Sequence, residues 1–131
     1  MRYKNPSIEA EVNLPPGLYQ LLPEYYRATN TGNAEKLHDI FNSKGFPVNY
    51  KDPLSGLTAL HVLAGSCARK GLVVLLRHPD VDFLIRDKQG RLASEYAMVY
   101  SDDAEMALSI MEKENEQGER MGIKVTHRPS I

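Results

Sequence analysis

The sequence predicts an all-α chain, a short solenoid of helix-turn-helix pairs joined by β-hairpin-like loops. Three observations carry this expectation. Apolar residues recur at i, i+3 and i+4 in three separated segments, which marks one buried face on each of three helices. Gly56 and Gly90 stand 34 positions apart (90 − 56), and each closes a polar stretch, "NYKDPLSG" and "LIRDKQG". A short helical run follows each of them, "TALHVLA" and "ASEYAMVY". A period of about 33 residues in this order describes stacked units, each burying its apolar face only against its neighbours.

Composition sets the class. The chain has 131 residues, 42% hydrophobic and 25% charged, which fits one globular domain with a single core. Cys67 is the one cysteine, so no internal disulfide forms, and a reducing, cytoplasmic location is expected, with export as an effector left open. A net charge of −1 offers no global basic field for nucleic acid or anionic lipid. The charge is uneven, however. Residues 51–86 carry five basic and three acidic groups, and 87–114 carry three basic and seven acidic. The N-terminal stretch has no apolar secretory core, and the longest apolar run, "GLVVLL", is far below the ~20 residues of a membrane helix.

The elements follow in order. Pro6, Pro15 and Pro16 favour an extended lead-in over 1–17. The first unit, 18–50, has "PEYYRATNTG" and then "NAEKLHDIF", where Leu37, Ile40 and Phe41 share a face. The second, 51–86, has "TALHVLA" and "KGLVVLLRH", with Leu72, Leu75 and Leu76 at the same offsets. The third, 87–114, has "ASEYAMVY" and "DAEMALSIM". Extended pairs Val48-Asn49 and Val81-Asp82 close the first two units. Residues 115–131 read as a frayed tail, although the alternation in "IKVT" would suit a short strand.

"GLTALHVLA" followed by "LVVLL" and "DVD" resembles an ankyrin repeat, with Thr58, Leu60, His61 and Ala64 on the marks of that family's Thr-Pro-Leu-His-x-Ala motif. Ala59 replaces the usual proline, and Cys67 stands where the family usually has glycine before the longer helix. The outer units match poorly, with Tyr26 and Glu95 in the place of His61, as expected of repeats that face water on one side. The resemblance spans about 95 of the 131 residues. It implies protein–protein recognition and no catalysis.

The residues agree with that implication. Thr58 precedes an apolar helical run and is placed to cap it, and His61 lies one turn on, within reach of Thr58 or loop backbone. Both are read as structural. No second histidine has metal-ligand spacing to His61, no phosphate loop exists in "GSCARKG", and Arg69-Lys70 lack interleaved aromatics. No catalytic, metal or cofactor residue is assigned, and no small-molecule substrate, nucleic acid or membrane is expected. Cys67 is read as a small residue packed between helices. His38, His78 and His127 are read as solvated, and Asp102, Asp103 and Glu105 as a helix N-terminus.

The expected partner is a protein of unknown identity, bound through hairpin tips and the inner helix face. By resemblance the contacting positions are Asn30 and Thr31 in the first unit, and Tyr50, Leu54, Ser55, Leu57 and Ser66 in the second. In the third they are Lys88, Gln89, Arg91, Val99 and Tyr100. Tyr50, Leu54, Leu57 and Tyr100, rimmed by Lys88 and Arg91, form the candidate patch. Alternatively, Leu54 and Leu57 pack on the first unit's hairpin. The roles kept open are a scaffold, an inhibitor or immunity protein neutralising a toxin, and a secreted effector that binds a host protein.

Overall fold

Local capping and apolar spacing produce helices at the expected places. A computed structural model describes residues 14–127, and among them six α-helices form and no strand. They are α1 (Leu22–Thr31), α2 (Ala34–His38), α3 (Ala59–Gly65), α4 (Arg69–Leu76), α5 (Ala93–Tyr100) and α6 (Ala104–Met121). No helix among the described residues is long and apolar enough to cross a membrane.

The helices pair as α1/α2, α3/α4 and α5/α6, and the pairs stack, α3 packing between α1 and α5 and α2 against α4. Leu37, Ile40, Leu63, Leu75 and Ile110 are buried between them, each worth about 1.5–3 kcal/mol of apolar burial. Helix α2 runs on into a π turn, Asp39–Ser43, where the Lys44 N–H reaches back to Asp39 O at 3.0 Å. The widened turn keeps both Ile40 and Phe41 buried.

The first unit compensates for its weak repeat pattern with rings. Tyr25 stacks on Phe46 at 4.7 Å and meets Tyr50 edge-on at 5.5 Å, with Tyr26 and Phe41 beside them. Tyr50 is therefore a core residue, not part of a surface patch. Its place at the foot of a loop is overridden by three neighbouring rings that it helps to shield from water.

Polar side chains tie one unit to the next at intervals close to the repeat. Asn49 donates to Asp80 O at 2.8 Å and accepts from the Asp82 N–H at 2.8 Å. Gln117 repeats the arrangement one unit on, donating to Asp82 Oδ1 and accepting from the Phe83 N–H, both at 2.8 Å. Three of these four bonds satisfy backbone groups that the loops would otherwise leave unpaired.

Both ends differ from the expectation. Residues 1–13 of the lead-in lie outside the described residues; Leu14 is buried, and Pro16–Leu21 form a 3-10 turn instead of extended chain. At the other end α6 continues through the supposed tail to Met121. Buried Glu114 holds it, accepting from Ser94 N–H at 3.0 Å and Ser94 Oγ–H at 2.6 Å, and its carboxylate meets His127 Nε2 at 2.8 Å. Residues 122–127 turn back without forming a strand: Val125 lies against Gly118, and Arg86 donates to Thr126 O at 3.0 Å. His127 is accordingly anchored, not solvated.

Candidate interaction surface

Two loops of the same design lead into α3 and α5. In the first, the Asp52 carboxylate accepts from Leu54 N–H (3.1 Å), Ser55 N–H (2.8 Å) and Ser55 Oγ–H (2.9 Å), while Gly56 N–H closes onto Asp52 O at 2.7 Å. In the second, the Asp87 carboxylate accepts from Gln89 N–H (3.0 Å), Arg91 N–H (2.8 Å) and Arg91 Nε–H (2.9 Å). Each aspartate thus folds its own loop, in the manner of an Asx turn. The loops are joined by Lys88 N–H donating to Ser55 O at 3.1 Å.

The first unit reaches the Asp52 loop through Tyr26, whose hydroxyl donates to Asp52 Oδ1 at 2.6 Å. Burial, then that hydrogen bond, raises the Tyr26 phenol well above its ordinary range. Burial also tends to raise the Asp52 carboxyl, but the hydrogen bonds from Tyr26, Ser55 and Leu54 outweigh it and leave the group lowered.

Fully enclosed His61 links the second unit to the third. Its Nε2 lies 2.8 Å from Arg91 O, which can only accept, so the ring donates there. Nδ1 is then an acceptor, 2.9 Å from Thr58 Oγ1, and Thr58 Oγ1 in turn accepts from the His61 N–H at 3.3 Å. Burial lowers the imidazole's basicity and keeps it neutral. Both ring nitrogens are spent on structure, which leaves His61 none for chemistry. Glu95 has the corresponding capping role on α5, accepting from Leu92 N–H at 2.8 Å.

Around this frame the predicted positions divide into two groups. Leu54 (90% exposed), Lys88 and Gln89 stand at the loop tips, with Ser55, Leu57 and Arg91 half-buried behind them. Asn30, Thr31, Ser66, Val99 and Tyr100 are exposed at the C-terminal ends of α1, α3 and α5. Arg91 joins the groups, donating to Tyr100 Oη at 3.2 Å, with its guanidinium 4.9 Å from the Tyr96 ring centre and 5.3 Å from that of Tyr100. Tyr96 is the member that sequence reasoning missed. It covers Gly65, where an added Cβ would come within 2.5 Å of the ring. The signal was the Tyr96/Tyr100 pair at i, i+4 opposite a glycine.

Beyond Tyr100 a shallow groove of about 550 Å3 continues past Ser66, Cys67, Asp102 and Asp103. Cys67 is exposed there, not packed between helices. It sits in the left-handed region at φ 59, and its thiol donates to Asp103 Oδ2 at 3.4 Å; Arg69 pairs with the same carboxylate. Asp103 also caps α6 by accepting from Met106 N–H at 3.0 Å. That bond lowers the Asp103 carboxyl, burial opposing it, and the contacts with Cys67 and Arg69 lower it further. A left-handed turn suits glycine better than any residue with a Cβ. Cys67→Gly is expected to raise stability by about 1 kcal/mol, read as a higher urea midpoint with unchanged slope.

No group of three or more His, Cys, Asp or Glu suited to a metal ion occurs among the described residues. What the surface offers is a stiff edge: one exposed leucine, basic side chains and a tyrosine-framed arginine, on loops locked by their own carboxylates. Comparison with protein-family models finds no match, and comparison with curated proteins finds none either.

Proposed function

We propose that this chain is a non-catalytic recognition module, an ankyrin-like stack of three units. It binds a partner protein through its loop tips and the C-terminal ends of its first helices. The observation that carries this reading is Leu54. Its side chain is 90% exposed, yet three hydrogen bonds to the Asp52 carboxylate hold its loop rigid. Leu54 buries almost nothing in this fold, and covering it with a partner would gain about 1.5–3 kcal/mol of apolar transfer. Arg91 and Tyr100 nearby are residue types that dominate interface energetics, and a rigid loop loses little entropy on docking. The conformationally locked edge suits a preformed surface on a folded partner.

The test is affinity capture of the tagged full chain from its native lysate at high salt, with wild type beside Leu54→Ser and Tyr100→Ala. A stoichiometric partner that each substitution weakens about ten-fold or more supports the reading. A partner that both variants retain, with unchanged circular dichroism, places binding elsewhere and overturns it. Toxicity of the captured partner expressed alone would assign the inhibitor role. Leu57→Ser is expected to disturb the fold as well, because Leu57 is half-buried and its carbonyl closes the Asp52 loop by accepting from Asp52 N–H at 2.9 Å.

A further inference from the structure

The second helices of the second and third units, α4 and α6, start 35 positions apart, at Arg69 and Ala104 (104 − 69). Residues separated by that interval therefore occupy equivalent places and point the same way. On α4 and its C-cap the outward stripe is Lys70, Val73 and Arg77, all exposed. On α6 the equivalent stripe is Glu105, Leu108 and Glu112, all exposed. The four charged members form no ion pair with another described residue. One stripe is basic and the other acidic, each centred on an apolar side chain, with Val73 40% and Leu108 56% exposed.

The two helices are held apart by a substitution within the repeat. At Gly71 of α4 an added Cβ would meet Leu63 Cδ2 at 3.0 Å and Leu37 Cδ1 at 3.1 Å, so glycine lets α4 press against α2. The equivalent residue of α6 is Met106, which is buried and keeps α6 farther from α4. An apolar groove of about 140 Å3 opens between them, lined by Leu72, Val73, Leu76, Met106 and Ile110, with Arg69 and Ser109 at its rim.

We infer that this face pairs with a second copy of the chain about a two-fold axis running along the groove. Such an axis keeps the helices parallel and lays α4 of each copy over α6 of the other. The shared offset of 35 then puts Lys70 opposite Glu105, Val73 opposite Leu108 and Arg77 opposite Glu112, twice over, with no shift of register. The contact is isologous, the charges are complementary, and Val73 and Leu108 of both copies are covered. It lies on the second helices, away from the Leu54 edge, and leaves that edge open for its partner.

Sedimentation equilibrium of the purified full chain up to about 100 µM, in low salt and in high salt, reads it directly. The expected result is a monomer–dimer equilibrium that salt weakens and that Leu108→Glu shifts at least ten-fold toward monomer. The decisive pair is K70E/R77E and E105K/E112K. Each alone places like charges opposite each other and is expected to be monomeric, whereas their equimolar mixture restores both contacts and forms a heterodimer. A wild-type monomer throughout the range overturns the inference. So does a dimer that Leu108→Glu and both reversals leave intact, or a mixture that stays monomeric although circular dichroism shows both variants folded.

Discussion

Replacing His61 by alanine is expected to destabilise the chain by about 3 kcal/mol, because a hydrogen-bonded buried ring is removed and its partners are left behind. The imidazole donates to Arg91 O at 2.8 Å and receives Thr58 Oγ–H at 2.9 Å, so its loss orphans groups in two units at once. It also removes an edge-on ring contact with Tyr96, 5.8 Å between centres. Tyr96 supports Arg91, so the damage extends into the candidate binding edge. Urea unfolding measures the loss. A change below about 1 kcal/mol would mean that water replaces the ring without penalty and that the two units do not depend on this bridge.

The same residue makes stability depend on pH, with a definite sign. His61 is held neutral, its folded pKa lowered by burial, so between that lowered value and the ordinary histidine value the unfolded chain binds the extra proton. Stability therefore rises with pH across this window. His61's contribution is complete above about pH 6.5 and is lost as the pH falls toward the lowered folded value. Measuring wild type against His61→Asn at pH 7.5 and pH 5 isolates it. The gap between the two proteins is expected to narrow in acid, and a gap that widens would refute the neutral, buried imidazole.

Gly56→Ala is the second large effect, expected at about 3 kcal/mol from two sources. Gly56 lies in the left-handed region at φ 74, and an added Cβ would stand 2.7 Å from Lys88 N and 2.9 Å from Lys88 Cγ. The first feature strains the backbone. The second pushes apart the two loops joined by Lys88 N–H and Ser55 O. Gly45 separates these sources, since its φ is 72 but nothing lies within 4 Å of its added Cβ. Gly45→Ala is expected to lose only the strain, about 1 kcal/mol. Equal losses for the two variants would mean that the loops do not need their close approach.

Much of this architecture was readable from local pattern. The triplets Leu37–Ile40–Phe41 and Leu72–Leu75–Leu76 located α2 and α4, because helical periodicity depends only on near neighbours in the chain, although the π turn that ends the first was not foreseen. Thr58 before an apolar run located the start of α3 for the same reason, since a cap acts on its own helix. The equal spacing of Gly56 and Gly90 pointed to two loops of one design, and both residues have positive φ, 74 and 78.

Other features depended on which side chains the folded chain brings together, within a unit or between units, and no local pattern contains that. Tyr50 is buried because Tyr25 and Phe46 arrive beside it. Cys67 is exposed because a left-handed turn directs its thiol toward Asp103. The polar, glycine-containing stretch from Asn115 read as a frayed tail. It continues as α6 because Glu114 serves Ser94, Gln117 serves the Asp82 loop and Gly118 makes room for Val125. Paired helices joined by loops of one design were legible in advance, because periodicity and capping act between near neighbours in the chain. Which side chains are covered, which are held at the surface, and where the last helix stops came from the packed fold, because those outcomes rest on pairs such as Glu114 with Ser94 and Gln117 with Asp82 that helical periodicity does not relate.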